Sequence, residues 1–254
     1  MSREKYFQTR FVQDAQREVL WRTLYHCYFA RLIAPTDCVL ELGAGYCYFI
    51  NEVVSRRKIA LDSWSEFVNY LSSGIESRVC DVTDLSFLES SSVNFVFASN
   101  LFEHISQDDF ASVLLQLKNI LARDGTLNIL QPNYYYSYRE YFDDYTHRTV
   151  YTHTSISDFL RAHGYEVIDC RPRFLPLTVK SRLPVSPVLI RLYLSLPWKP
   201  LGKQMFIRAR VNNQERPDSP SVRLLEPNAS QTQRVRNHGN RTERHCGTGN
   251  HRAQ

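Results

Sequence analysis

The sequence predicts an α/β fold on a mostly parallel sheet, and three observations predict it. Between Cys38 and Leu130 short apolar runs alternate with helical patterns, the rhythm of strands joined by covering helices. The first run ends directly in a glycine turn, Gly43-Ala44-Gly45. Acids close the second and third runs, Asp62 and Asp81. A parallel topology gathers such strand ends on one edge, where a ligand crevice forms.

Taken in order, apolar residues recur at helical spacing from Phe11 to Ile33, and Pro35 ends that amphipathic helix. Strand one is Cys38 to Leu42, and a helix from Tyr46 to Val54 is expected behind the turn. Ile59 to Asp62, a helix around Ser65 to Leu71, and Arg78 to Asp81 repeat the unit. Phe95 to Ser99, a helix from Phe110 to Leu121, a turn at Asp124-Gly125 and a strand Leu127 to Leu130 complete the regular part. A tyrosine-rich segment follows, Tyr134 to Tyr138. Ser155 with Asp158 then resembles a capping box for a helix running to His163, with Gly164 at C′. Strands Tyr165 to Ile168 and Gln204 to Val211 bracket a Pro-punctuated, basic and apolar insertion. The domain reading is a helical lead-in at 1–35, one catalytic domain at 36–211 with an acceptor-side insertion at 172–203, and a polar, disordered tail at 212–254.

Composition narrows the class. With 43% apolar and 22% charged residues in 254, the chain can build a sizeable core. Its formal charge of +5 is too mild to argue for nucleic acid, and the arginines of the tail lack interleaved aromatics for stacking. The six cysteines form no C-x-x-C pair and have no histidine at zinc-ligand spacing, so they read as reduced thiols in a cytoplasmic protein without a metal. No apolar run approaches the roughly 20 residues of a membrane span.

A glycine turn after a first strand lets backbone approach an anionic or zwitterionic ligand, but alone it also suits a nicotinamide dinucleotide. Tyr48 stands where G-x-G-x-x-G needs its third glycine, which weighs against that alternative. An acid after strand two suits a ribose diol, which offers two donors to one carboxylate. Over Val39 to Val211 the chain resembles the class I S-adenosylmethionine-dependent methyltransferases. The resemblance is carried by Glu41-Leu42-Gly43-Ala44-Gly45, Asp62, Cys80-Asp81-Val82 and Ser99-Asn100-Leu101-Phe102-Glu103-His104. It implies a Rossmann-like sandwich whose last strand runs antiparallel, with S-adenosylmethionine as cofactor. Gly43 and Gly45, with Glu41 and Ala44 beside them, would admit the methionyl part; Asp62 would hold the ribose, Asp81 with Val82 the adenine, and Asn100 or Leu101 the sulfonium. Asn94 stands where many members carry Asp, a structural position.

The second half resembles a subgroup linked to saccharide and cell-envelope biosynthesis, through Gln131-Pro132-Asn133 and Arg173-Phe174-Leu175-Pro176. That implies a small-molecule acceptor, a saccharide or a lipid-linked one, with peripheral membrane contact through 187–203 as the corollary of the latter; a helix packed over the acceptor site explains the same pattern. Methyl transfer from a sulfonium is an in-line displacement that rests mostly on positioning. A hydroxyl acceptor adds the need for a base, and His147, His104 and Asp144 are the candidates, each also readable as a loop or packing residue. His153, just before a helix start, suits a local structural bond better. Two other functions compete: a nicotinamide-dependent oxidoreductase, and a non-catalytic domain retaining the fold for binding. Oligomeric state leaves no mark on the sequence.

Overall fold

The computed structural model describes residues 13–176 and 186–216. Seven strands form one sheet in the order β3-β2-β1-β4-β5-β7-β6. They are β1 Cys38–Leu42, β2 Arg57–Asp62, β3 Glu76–Val79, β4 Val93–Ser99, β5 Leu121–Pro132, β6 Tyr165–Leu175 and β7 Gln204–Val211. β1 to β5 pair in parallel, and β7 lies antiparallel between β5 and β6. The predicted sheet, parallel with an antiparallel last strand, is the observed one.

Strand alternation divides the core between the two faces. Leu40, Leu42, Ile59, Leu61, Val96, Ala98, Leu127, Ile129 and Ile207 pack on one face, against α2 Gln107–Ile120 and α4 His153–Ala162, between which the chain forms the short α3 Tyr134–Ser137. Val39, Ala60, Phe95, Phe97, Leu130 and Phe206 face α1 Ala15–Cys27 on the other. That second face is aromatic: Phe29 makes edge contacts with Phe49, Phe97 and Phe206 at 5.2–5.6 Å between centroids.

Several elements depart from expectation. The long first helix is α1, of 13 residues, followed by a 3₁₀ turn over Phe29–Leu32. No helix forms over 46–54: Cys47 sits at φ 59°, a conformation that breaks a helix, and turns carry Phe49, Ile50 and Val53 onto the sheet instead. The segment after β2 is a 3₁₀ helix over Ser65–Tyr70. β3 starts and ends two residues earlier than predicted. Gly125 is no turn. It lies inside β5 where the pairing with β4 shifts register, and an added Cβ would stand 2.8 Å from the Val93 carbonyl oxygen.

The expected cap at Ser155 falls one turn too late: Thr152 is the N-cap of α4, in a reciprocal box with Ser155. Gly164 follows α4 at φ +79°, as its C′ position requires. In the insertion, residues 177–185 lie outside the described residues, and α5 spans Pro187–Ser195. Its Tyr193 and Leu194 pack on the aromatic core, while Val188, Leu189 and Leu192 are exposed.

The boundary at 211 is too early. Beyond β7, Arg216 is buried, and its guanidinium donates to the carbonyls of Leu121, Ala122 and Arg123 at the start of β5. Glu215 pairs with Lys118 of α2 at 3.2 Å. A buried guanidinium donating to three backbone carbonyls is ordered structure, so the ordered domain runs at least to Arg216; residues 217–254 lie outside the described residues. Replacing Arg216 by Ala strands these carbonyls, and the variant is expected to lose about 1–3 kcal/mol, several degrees in thermal melting. Calorimetry of the full chain measures it.

Candidate functional site

At the C-terminal edge of β1 and β2 two buried acids hold the segment that leaves β1. Gly43 and Ala44 donate to the Leu61 carbonyl at 2.8 and 3.0 Å, which stitches the turn to β2. Asp62, 8% exposed, accepts from the backbone N–H of Gly45 at 2.9 Å and of Trp64 at 2.8 Å. Glu41 accepts from Ile50 at 3.1 Å, and burial pushes its carboxyl well above the usual range, with Asp62 adding to the rise. Gly43 takes φ +69°, and a Cβ there would meet Leu101 at 3.1 Å. Gly45 also has positive φ, at 51°.

The neighbouring segments complete this edge. Tyr46, Trp64 and Tyr70 form an aromatic trio, with centroids 4.8–5.7 Å apart. Asp81 is exposed, and its carboxylate turns back to accept from the backbone and hydroxyl of Thr83. Val82 is buried in the core beside it. Asn100, directly after β4, holds φ 49°, a strained value for a side chain other than glycine. Its amide accepts from Gln204 at 3.3 Å. Asn94 accepts from Cys38 N–H at 2.9 Å and tethers the start of β1.

A second cluster forms where the segment after β4 meets the loop 141–149. Arg148 and Thr149 both donate to the Glu103 carbonyl, at 2.8 and 3.1 Å, and the Thr149 hydroxyl donates to the Ile105 carbonyl at 2.7 Å. These bonds bring His104 and His147 together with ring centroids 4.9 Å apart. Thr146 donates its hydroxyl to Asp144 and meets Nδ1 of His104 at 3.0 Å. A hydroxyl with one proton that is given to Asp144 can only accept from the imidazole, so His104 carries its proton on Nδ1 and its lone pair on Nε2. His147 reaches the Tyr141 carbonyl through Nδ1, which fixes the same tautomer. Burial, reinforced by His147, lowers the His104 pKa to about 4, so the ring is neutral at pH 7. Asp144 stays below its ordinary value: burial works against ionisation, and the bonds from Thr146 outweigh it.

The three candidate bases His147, His104 and Asp144 thus stand in one hydrogen-bonded group. His153 lies apart, its Nδ1 3.1 Å from the Asn133 amide. Sequence reasoning assigned no role to Glu103, which is fully buried in this group with both carboxyl oxygens lacking a hydrogen-bond partner. Burial raises it to about 8, with Asp144 adding to the rise. Asn133 was also missed: fully buried, it bonds the Pro172 carbonyl and the backbone of Tyr135 and His153, joining β5, α4 and β6.

Residues 40–129 match the family model described as a methyltransferase domain. Solved structures with the same architecture include an S-adenosylmethionine-dependent methyltransferase from Archaeoglobus fulgidus, at 18% identity and TM-score 0.61 over 82% of this chain and 99% of that one. Another is the putative methyltransferase of Haloferax volcanii in complex with the Trm112 activator, at 17% and 0.58 over 78% and 91%. A third is the 1,6-didemethyltoxoflavin-N1-methyltransferase of Burkholderia thailandensis, solved with S-adenosylhomocysteine, at 15% and 0.52 over 82% and 85%. No curated protein matches the sequence. The fold is therefore the Rossmann-like methyltransferase fold, and domain and fold together indicate S-adenosylmethionine as the cofactor.

The two strand-end acids should separate in stability. Asp62→Ala leaves two buried N–H groups without their acceptor, at about 1–3 kcal/mol each. The exposed Asp81→Ala should change stability by less than about 0.5 kcal/mol. Urea unfolding of both variants checks the contrast.

Proposed function

We propose that this chain is an enzyme that transfers a methyl group from S-adenosylmethionine to a hydroxyl of a small-molecule acceptor. The observation that carries the reading is the glycine turn anchored by the buried Asp62 within the matched methyltransferase domain. The residues fit the cofactor. Gly43 has no Cβ, and the atoms nearest the place of one are the flexible tip of Leu101, so a ligand can approach its backbone there. Asp62 accepts backbone N–H bonds through both oxygens, and a carboxylate with several acceptor sites suits the two hydroxyls of a ribose. Asp81 and Val82 would border the adenine, and Asn100 and Leu101 the sulfonium side. When bound, S-adenosylmethionine supplies an electrophilic methyl group.

The remaining work falls to the chain. On the acceptor side, His104 is a neutral imidazole, and the Nδ1 bonds of His104 and His147 turn Nε2 of each ring toward the role of proton acceptor. Asp144, acting through Thr146, is a positioning residue for His104. Either ring would take the proton of an acceptor hydroxyl as its oxygen meets the methyl carbon. The insertion points to the acceptor class. Lys203, which closes it, pairs with Glu140 at 2.6 Å, and its carbonyl accepts from Asn133, so the insertion is tied to the tyrosine-bearing loop. A cleft of about 240 Å³ between α1, β6 and α5 is lined by Arg31, Arg171, Arg191 and Lys199. Trp198 and Leu201 are exposed just beyond α5, with Val188 and Leu192 exposed on it. Cations beside apolar surface suit an anionic, amphipathic acceptor such as a lipid-linked saccharide phosphate, with the insertion touching the membrane surface. Among the described residues, no helix is long and apolar enough to cross a membrane.

Calorimetric titration should show saturable binding of S-adenosylmethionine and S-adenosylhomocysteine and no heat with NAD or NADP. Binding of a dinucleotide without either adenosyl ligand overturns the reading.

A further inference from the structure

We infer that Glu103, His104 and His147 form a binding site for a divalent transition-metal ion, with two imidazole nitrogens and one carboxylate oxygen as ligands. Each residue offers one ligand atom, and the three atoms lie within 4.8 Å of one another. Nε2 of His104 stands 4.0 Å from Oε1 of Glu103. The lines of support are independent of one another.

Glu103 is the first. A carboxyl group with no exposure and no hydrogen-bond partner on either oxygen is costly, whether charged or neutral, and native proteins seldom keep one without use. A metal ion would satisfy it. The histidines are the second. Metal-ligating histidines commonly donate their other ring N–H to a carbonyl or carboxylate, which fixes the tautomer and the ring plane. Both rings show that arrangement: His147 through Nδ1 to the Tyr141 carbonyl, and His104 through Nδ1 to Thr146, which is itself anchored on Asp144. Rigidity is the third, because the paired bonds from Arg148 and Thr149 to the Glu103 carbonyl hold the two ligand-bearing segments in register.

The donor set selects the ion. Imidazole nitrogen suits zinc, iron, cobalt or nickel, whereas magnesium and calcium prefer all-oxygen surroundings. Ligand atoms around a tetrahedral zinc stand about 3.3 Å apart, given metal–ligand bonds of about 2.0–2.1 Å. Binding an ion would require the side chains to draw the ligand atoms inward from their present spacing, within 4.8 Å of one another. Three protein ligands leave a coordination position open. Proton acceptance and metal ligation use the same Nε2 lone pair, so a loaded site excludes the imidazole base role proposed above. Metal binding itself does not depend on the methyltransferase reading.

The test uses the full chain, stripped with a chelator and titrated with Zn²⁺ by calorimetry and with Co²⁺ by visible absorption. One equivalent of Zn²⁺ should bind, and Co²⁺ should give ligand-field bands without the intense thiolate charge-transfer band that cysteine ligation would add. Glu103→Gln, which preserves shape, and His147→Ala should each weaken Zn²⁺ binding at least tenfold. Thr146→Val, which removes the support of His104, should weaken it about tenfold. Unchanged S-adenosylhomocysteine binding by Glu103→Gln and His147→Ala would show that these variants remain folded and would keep the two proposals separable. No saturable uptake of either ion overturns the inference, as does stoichiometric binding that both variants retain.

Discussion

The Asp62 carboxylate, shared between the N–H groups of Gly45 and Trp64, is the contact on which the ligand edge depends. It sits at the end of β2, yet it fixes the loop that leaves β1 and the start of the segment that leaves β2. Without it, two strands could still pair, but the directions in which the chain departs from them would be undetermined. Glu41 performs the same service one strand over, by holding Ile50. Charged groups are costly to bury, so spending two of them on loop backbone implies that loop position matters more here than loop stability.

The opposite side of the edge is organised by a different means. There the backbone carbonyl of Glu103 accepts from two successive residues, and side chains with short reach, Thr146 and Thr149, relay the remaining order. A threonine hydroxyl can donate once only, and that restriction propagates: it sets the His104 tautomer and hence the atom turned toward its neighbours. His104 therefore becomes chemically defined through a residue that performs no chemistry itself, whereas the Tyr141 carbonyl defines His147.

Much of the sheet could be read from the sequence because strand burial has a short period. Cys38 to Leu42 and Phe95 to Ser99 are almost wholly buried, as parallel strands covered on both faces must be, and the apolar runs made them visible. The crossovers were harder. Tyr46 to Val54 has helical apolar spacing, but only 11 residues separate Gly45 from β2, and Cys47 breaks the helical path. Gly125 looks like a turn residue because its neighbour is Asp124; its actual constraint is the closeness of the Val93 carbonyl, a distant partner invisible to local pattern. In the candidate site, the glycine turn, Asp62, His104 and His147 stood out because their residue types are distinctive after strands or in loops. Thr146 and Glu103 did not, since a relay hydroxyl and an orphaned carboxyl are defined by what surrounds them. Arg216 was lost in a polar stretch for the same reason.

The position of β7 has a consequence for how the molecule is made. β6 emerges from the ribosome about 30 residues before the strand it pairs with, yet in the sheet it touches β7 and not β5. During synthesis β5 therefore presents a long apolar edge with no neighbour, while β6 has no place in the sheet to occupy. The gap between them must be kept open until residues 204–211 arrive to fill it. Nascent chains paused in that interval would be the ones most exposed to wrong pairing, including with one another, which puts a premium on uninterrupted translation of the last segment or on a chaperone that shields β5.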